Sequence, residues 1–252
     1  MRTIILDLHG VLVDSKRVKE NYEIFLTKLY AEFNIDKQKA VEYHKMGLKY
    51  FLKSINTIKS KNLIDKQFLK EMKNTDTKWD NLMRNPVNNE ENKSKILQIE
   101  SRYIEEKSGK IRNVFFPDAE DFLKYWLEKL QSQYNLVITS NSHYSHIKGV
   151  ISVLNEEFLN KITIYGWDTI KCMKSHPKYF LRLKNIIKDN LKSNHTLIMI
   201  GNSDDEIIGS SKEKMLPILI NRGNKITDNT FKKALKTFNS LEGVWDFIFT
   251  LN

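Results

Sequence analysis

Four short polar segments of this chain carry residue types that nucleophilic and phosphate chemistry uses. They are Asp7-Leu8-His9-Gly10, Ser140-Asn141, Lys174-Ser175-His176-Pro177 and Gly201-Asn202-Ser203-Asp204-Asp205-Glu206. Together they offer a carboxylate that can attack an electrophile, a hydroxyl, an ammonium group and an acidic-amide cluster. Asp7 and His9 are two residues apart, so an extended backbone directs both side chains to the same face.

Each polar segment follows a predicted strand or precedes a predicted helix. Short apolar runs predict strands over residues 3–6, 136–139, 162–165, 196–200 and 217–220. Helices are predicted from Pro117 onward and over about 146–160, 177–191 and 240–249. Strands that alternate with helices favour an α/β fold, a doubly wound, Rossmann-like parallel sheet covered on both faces. Ligands of such sheets bind outside the carboxyl ends of the strands, where these segments lie.

The region after the first strand shows a different pattern. Apolar residues recur at steps of three and four from Val18 to Phe33 and from Val41 to Ile55, which predicts two helices. Weaker helical patterns lie near residues 68–72 and 96–103, and the Asn-, Asp- and Lys-rich residues 73–93 predict a loop. We therefore predict an α/β core of residues 1–14 and 112–252 and an inserted helical cap of residues 15–111. Hinges are expected near residues 14–17 and 110–114.

Composition narrows the function classes. The 252 residues include 41 Lys or Arg and 31 Asp or Glu, a net charge of +10. The basic residues are scattered, without an arginine cluster or zinc-finger spacing, so we expect no nucleic-acid partner but a surface that attracts small anions. No apolar run approaches the roughly 18 residues that predict a membrane span. The start of the chain lacks a signal peptide's apolar core, and the single Cys172 favours a reducing, cytoplasmic location.

The four segments, in this order, resemble the motifs of the haloacid dehalogenase superfamily, specifically its members with a helical, C1-type cap after the first strand. That family's first motif is Asp-x-Asp-Gly-Thr-Leu-x-Asp-Ser, and residues 7–15 match it with His9 and Val11 substituted. Ser140-Asn141 matches a second motif that ends in Ser or Thr, often followed by Asn. Residues 174–180 follow Lys-Pro-x-Pro-Asp-x-Phe, and residues 201–206 follow Gly-Asp-Ser-x-x-Asp.

The resemblance implies a Mg²⁺-dependent phosphatase that acts on a small phosphorylated metabolite. Asp7 would attack phosphorus and form an aspartyl-phosphate. Lys174 would supply positive charge, and Ser140, Asn141 and backbone N–H groups after Asp7 would help to bind the phosphoryl group. The implied Mg²⁺ ligands are Asp7, the main-chain carbonyl of His9, Asn202, and Glu206 or Asp205. No membrane partner is expected, and the protein would act as a monomer or homodimer.

Two departures from the family pattern leave alternatives open. His9 replaces the aspartate that protonates the leaving alcohol. An imidazole with an ordinary pKa of about 6.5 is suited to acid–base work, but also to binding phosphate as a cation. Asn202 replaces a carboxylate and should weaken metal binding. The alternatives are therefore a metal-independent 2-haloacid dehalogenase-like hydrolase and a catalytically impaired binding or regulatory relative. His143 and His146, three residues apart, are interpreted as a surface pair.

Overall fold

The computed structural model describes residues 2–84, 114–152, 154, 156–191 and 196–251, and within them lies a six-stranded parallel sheet. The strands are β1 (Arg2–Asp7), β2 (Tyr134–Thr139), β3 (Thr163–Tyr165), β4 (Thr196–Gly201), β5 (Leu216–Ile220) and β6 (Lys236–Phe238). All five neighbouring pairs are parallel, in the order β3-β2-β1-β4-β5-β6. The predicted α/β fold is thereby confirmed.

β1 lies at the centre of the sheet, between β2 and β4. Asp7 is in register with Thr139 at the end of β2, and Leu6 is in register with Ile200 near the end of β4. The chain builds the sheet from β1 toward β3 and then returns to add β4, β5 and β6 on the other side of β1. The strand order therefore switches at β1 and β4, which creates a crevice at their carboxyl ends.

The described residues contain eleven α-helices, some of which cover the two faces of the sheet. They are α1 (Ser15–Ala31), α2 (Lys37–Ser60), α3 (Asp65–Arg84), α4 (Pro117–Tyr125), α5 (Tyr144–Ile151), α6 (Glu156–Lys161), α7 (Trp167–Ile170), α8 (Tyr179–Leu191), α9 (Asp204–Lys212), α10 (Asp228–Lys233) and α11 (Val244–Thr250). A π-helical turn, Trp126–Leu130, continues α4. No helix within the described ranges is long and apolar enough to cross a membrane.

Alternating residues of the central strand supply the two halves of the core. Ile4 and Leu6 of β1 pack in one cluster with Trp126 and Trp245, whereas Ile5 packs in the other with Phe180. Successive side chains of a strand point to opposite faces, so one apolar run serves both layers. Burial on both sides explains why the run contains no polar residue between Thr3 and Asp7.

The structure differs from the sequence predictions in several elements. The loop predicted for residues 73–93 is wrong up to Arg84, because α3 continues through it with Phe68, Met72 and Thr75 buried at steps of four and three. The predicted helix over 146–160 is two helices, α5 and α6. The weak helical pattern at 96–103, the remainder of the predicted loop and residues 110–113 lie outside the described residues. The division into core and cap stays a prediction.

Candidate active site

Asp7 ends β1 and lies against a buried lysine. Lys174 Nζ donates to Asp7 Oδ1, to Glu206 Oε1 at 2.7 Å and to the Thr139 carbonyl at 3.4 Å. Asp7, Lys174 and Glu206 are only 5%, 4% and 3% exposed. A buried charge is costly unless it is paired and hydrogen-bonded, so the single ammonium between two carboxylates makes this arrangement tolerable.

The three groups shift one another's proton affinities. Burial and the charge of Glu206 raise the pKa of Asp7 to about 7, against the opposing effect of Lys174. Burial alone would lower the pKa of Lys174, but the two carboxylates raise it above its usual value, so the ammonium persists. Burial would raise the pKa of Glu206, yet Lys174 and backbone donors lower it. Glu206 is therefore charged, and Asp7 has a pKa near neutrality.

Glu206 also makes hydrogen bonds that stabilise the start of α9. It is the third residue of α9, and its Oε2 accepts the backbone N–H groups of Asn202 at 2.8 Å and Ser203 at 3.2 Å. With Ser203 as the N-cap, this forms a capping box, which satisfies donors that the first helical turn leaves free. Both oxygens of Glu206 thus already accept hydrogen bonds, from Lys174 on one side and from the helix entry on the other.

Asn202 connects the loop after β4 to the loop after β1. Its Nδ2 donates to the main-chain carbonyl of His9 at 3.1 Å. Gly10 makes this contact possible, because it has a φ of +86° and a Cβ there would lie 1.9 Å from Asn202 Nδ2. The Gly10 N–H donates to Val13 O at 2.8 Å, so the expectation that the N–H groups after Asp7 bind phosphate is wrong for this one.

The residues after β2 support the lysine and the crevice wall. Asn141 Oδ1 accepts the backbone N–H of Lys174 at 2.8 Å, which fixes the start of the Lys174 side chain. Ser140 is 2% exposed, and its Oγ accepts the Ser142 N–H at 3.2 Å, which leaves its hydroxyl hydrogen to donate. Asn141 therefore holds Lys174 through its backbone, while Ser140 remains the predicted side-chain donor.

The other side of the crevice holds two imidazoles. His9 Nε2 lies 3.4 Å from Ser142 Oγ, and the His9 ring stacks on His146 with centroids 5.6 Å apart and planes at 24°. The prediction that His146 belongs to a surface pair is therefore wrong, although His143 is exposed. Ser142 and His146 were missed as crevice residues. The available signal was their position, since Ser142 directly follows the motif after β2 and His146 lies four residues further on.

Both imidazoles are neutral at neutral pH. Burial, then the positive charges of His146 and Lys174, lowers the pKa of His9 to about 3. Burial and His143 lower that of His146 to about 4. With an ordinary pKa, His9 would protonate a leaving group or bind phosphate as a cation, as expected from the sequence. With its pKa lowered to about 3, His9 carries no proton for either role at neutral pH.

The predicted metal ligands fit a cation unequally. Neighbouring oxygens of an octahedral Mg²⁺ site with bonds of about 2.1 Å are roughly 3.0 Å apart. The His9 carbonyl and the Asn202 side chain have this spacing, at 3.1 Å, and rotation of the amide would present Oδ1 in place of Nδ2. The engaged oxygens of Glu206 fit poorly, and Asp205 is exposed.

Asp204, beside Asp205, has another role. Its Oδ1 accepts the Thr227 backbone N–H at 3.2 Å and the Thr230 hydroxyl at 2.6 Å, which ties α9 to the start of α10. Within the described part of the chain, no three His, Cys, Asp or Glu side chains come together as a metal site. The pair with a suitable spacing is accordingly the His9 carbonyl and the Asn202 side chain, and the predicted carboxylate ligand is Asp7, one oxygen of which Lys174 engages.

Comparison with known proteins agrees with this fold. The model of the haloacid dehalogenase-like hydrolase family matches residues 1–210, so the chain belongs to that family. No curated protein matches it. The resemblance to the superfamily seen in the four motifs is confirmed.

Three similar solved structures illustrate the range of relatives. A dehalogenase has 18% identity and a TM-score of 0.58, with 98% of this chain and 96% of that chain covered. A HAD phosphatase from Thermococcus onnurineus has 19% identity and a TM-score of 0.53, with 98% of each covered. The putative HAD-hydrolase YfnB from Bacillus subtilis, bound to magnesium, has 14% identity and a TM-score of 0.59, with 98% and 97% covered. At these identities the likeness concerns the fold.

Proposed function

We propose that this hydrolase is a phosphatase-type enzyme that transfers the phosphoryl group of a small phosphorylated metabolite to Asp7 and then to water. The observation that carries the proposal is the contact of Lys174 Nζ with Asp7 Oδ1 at the switch point of the sheet. Lys174 engages Oδ1, so Oδ2 is the oxygen that attacks phosphorus, as the bond from phosphorus to the leaving oxygen breaks. Water then cleaves the aspartyl-phosphate and regenerates the carboxylate.

The surrounding residues stabilise the charge that develops on the phosphoryl oxygens. Lys174 remains an ammonium because the two carboxylates raise its pKa. Its positive charge is therefore present before the substrate binds. The Ser140 hydroxyl donates from the end of β2, and Asn141 keeps Lys174 in place through its backbone. The net charge of +10 draws anionic substrates to the molecule.

Mg²⁺ is the proposed cofactor. When bound, it would neutralise charge on the phosphoryl oxygens and help to orient them. Asp7, the His9 carbonyl and the Asn202 side chain would hold it, with water and substrate oxygens as its remaining ligands. A single carboxylate in this set predicts weak binding. Glu206 stays with Lys174 and the helix entry, where its hydrogen bonds are already satisfied.

The neutral His9 narrows the substrate class. A neutral imidazole cannot supply a proton to a departing alkoxide, so alkyl phosphates should react slowly. Acyl and aryl phosphates have leaving groups that depart as stable anions and need no acid. We therefore propose a preference for these classes.

One screen tests the proposal. Acetyl phosphate, an aryl phosphate, an alkyl phosphate and a 2-haloacid are incubated with the protein, with EDTA or with excess Mg²⁺. The expected result is Mg²⁺-dependent release of phosphate in the order acyl, aryl, alkyl, abolished by Asp7→Asn. Phosphate release that is unchanged in Asp7→Asn would overturn the role of Asp7 as the nucleophile. Phosphate release that EDTA does not affect would overturn the proposed requirement for Mg²⁺.

A second candidate is favoured by the charge balance around Lys174. The ammonium already compensates Asp7 and Glu206 without a cation, which suits metal-independent displacement at carbon. Halide release from the 2-haloacid in EDTA would support this candidate instead. Neither phosphate nor halide release, in folded protein, would support the catalytically impaired relative.

A further inference from the structure

The corner between α2 and α3, residues 58–72, packs on the segment that leads to the catalytic lysine. Phe68 and Met72 of α3 and Ile58 of α2 form one buried cluster with Trp167 and Met173. The rings of Phe68 and Trp167 meet edge to face with centroids 5.8 Å apart. Met173 is 2% exposed and directly precedes Lys174 in the chain. The α2–α3 corner therefore packs against the residue before the catalytic lysine.

Arg182 of α8 clamps this corner in place. Its guanidinium donates to both oxygens of Asp65, at 2.9 Å and 2.7 Å, and to the Ile170 carbonyl at 3.2 Å. The backbone N–H of Asp65 donates in turn to the Lys171 carbonyl at 3.0 Å. Two parallel bonds to one carboxylate fix direction as well as distance, which a lysine could not do.

Two backbone outliers meet at the clamp. Asp65 has a φ of +52° and Lys171 a φ of +60°, both in the left-handed region that residues with a Cβ avoid. Such conformations persist where surrounding contacts determine them, and they cluster at functional sites. Here the two residues share the hydrogen bond between corner and core. Lys171 adopts this conformation as the C-cap of α7, with its N–H bonded to Trp167 O, whereas Asp65 adopts it at the residue that Arg182 holds.

The clamp ends three residues before Lys174. The backbone from residue 171 to 174 is held by the Asp65 N–H at its start, by the buried side chains of Cys172 and Met173, and by Asn141 at the Lys174 N–H. Two of these four anchors, the Asp65 N–H and the packing of Met173, depend on the docked α2–α3 corner. Undocking the corner would leave Cys172 and Asn141 as the remaining supports among these four contacts.

We propose that Arg182 is a positioning residue: by clamping Asp65 and the α2–α3 corner onto residues 170–173, it holds Lys174 against Asp7. The site is then assembled when the corner is docked and loosened when it lifts. The effect on turnover rests on the proposed function, whereas the effect on the Lys174 segment does not.

Backbone hydrogen exchange in the full-length protein tests the positioning directly. The variants are Arg182→Met and Asp65→Gly; glycine tolerates the positive φ of this position while it removes the side chain that binds Arg182. Glu157→Gln is the matched control, because it breaks an exposed pair with Lys161 of 2.6 Å elsewhere on the core. We expect exchange of the Lys174 amide to rise at least tenfold in both variants and to stay unchanged in the control. If exchange became faster at Asp65 and stayed unchanged at Lys174, the proposal would be overturned. The pair of Arg182 with Asp65 would then be a surface ion pair without a positioning role.

Kinetics on the best phosphate substrate form the second test. We expect kcat to fall about tenfold in Arg182→Met with KM changed less than threefold, and Arg182→Lys to recover a minority of the loss. A fall in thermal midpoint with kcat unchanged would overturn the positioning role. If the wild-type protein releases no phosphate, the proposed function fails, while the exchange measurement still decides the role of Arg182.

Discussion

The two sides of the crevice around Asp7 handle charge in opposite ways. On one side Lys174 lies between Asp7 and Glu206, and this pairing keeps the buried Lys174 and Glu206 charged. On the other side His9 and His146 stack, no carboxylate of the described residues bonds to either ring, and desolvation keeps both neutral. The comparison shows that burial alone does not determine ionisation. An opposite charge within hydrogen-bond distance keeps Lys174 and Glu206 charged, whereas Asp7 also faces the charge of Glu206, and its pKa is raised to about 7.

Removal of the ammonium should produce the largest effect. Lys174→Met leaves two carboxylates buried without their shared partner, so we expect a loss of about 3–5 kcal/mol in the free energy of unfolding and no measurable turnover. Lys161→Met, which breaks the exposed pair with Glu157, should cost less than about 1 kcal/mol. Urea unfolding of the two variants makes the comparison. Similar losses in both would mean that the buried lysine is not paired as the structure shows.

His9→Asp tests whether the neutral side limits catalysis. An acidic group there should protonate a leaving alkoxide, so we expect turnover of an alkyl phosphate in excess Mg²⁺ to rise about a hundredfold. His9→Asn provides an uncharged control without an acidic proton and should show no gain. An aspartate variant that folds, binds metal and gains nothing would refute the role assigned to this position.

The sequence predicted the charged side well, for a topological reason. Asp7 ends an apolar run, and Asn202 and Glu206 follow another, so a parallel sheet must bring them to one edge. It could not predict the ionisation of His9. That ionisation depends on desolvation and on a neighbour, His146, that is distant in the chain.

Helix boundaries account for another part of what was missed. The predicted helix began at residue 146, whereas α5 begins at Tyr144 with His143 as its N-cap, so the prediction could not tell which side His146 faces. Strand β6 escaped notice because Lys236–Phe238 has only three residues, none fully buried, and so lacks an apolar run. The α2–α3 corner was also invisible, since pairing of Asp65 with Arg182 spans 117 positions.

The two sides should respond to acid in opposite directions. The pKa of His146 is lowered from 6.5 to about 4, so below pH 6.5 the unfolded chain binds the proton first and stability is lost. The variant His146→Phe, measured by urea unfolding in EDTA, should therefore lose about 1–2 kcal/mol less than the wild type between pH 7 and pH 5. An equal loss in both proteins would contradict a neutral, half-buried imidazole at this position.

Asp7→Asn should change the same measurement with the opposite sign. The pKa of Asp7 is raised from 3.8 to about 7, so the folded protein binds this proton first and acidification from pH 7 to pH 5 is stabilising. The variant forfeits that contribution and should lose about 1–2 kcal/mol more than the wild type over the same interval. Between pH 7 and pH 5, His146→Phe should therefore lose less unfolding free energy than the wild type, and Asp7→Asn should lose more. If both variants differed from the wild type in the same direction, the two sides would not differ in their response to acid.

The smallest expected difference concerns two adjacent residues, each of which supports one side. Asn141→Ala leaves the Lys174 N–H without its 2.8 Å acceptor and should cost about 1–2 kcal/mol in unfolding free energy and lower turnover. Ser142→Ala removes a contact of 3.4 Å to His9 and should cost less than about 0.5 kcal/mol, because a bond that long between partly exposed groups is weak. Turnover in Ser142→Ala should stay within twofold of the wild type, since a neutral His9 takes no part in proton transfer. If Ser142→Ala lost more activity than Asn141→Ala, the imidazole side would be the catalytically important one, and the roles assigned to the two sides would have to be exchanged.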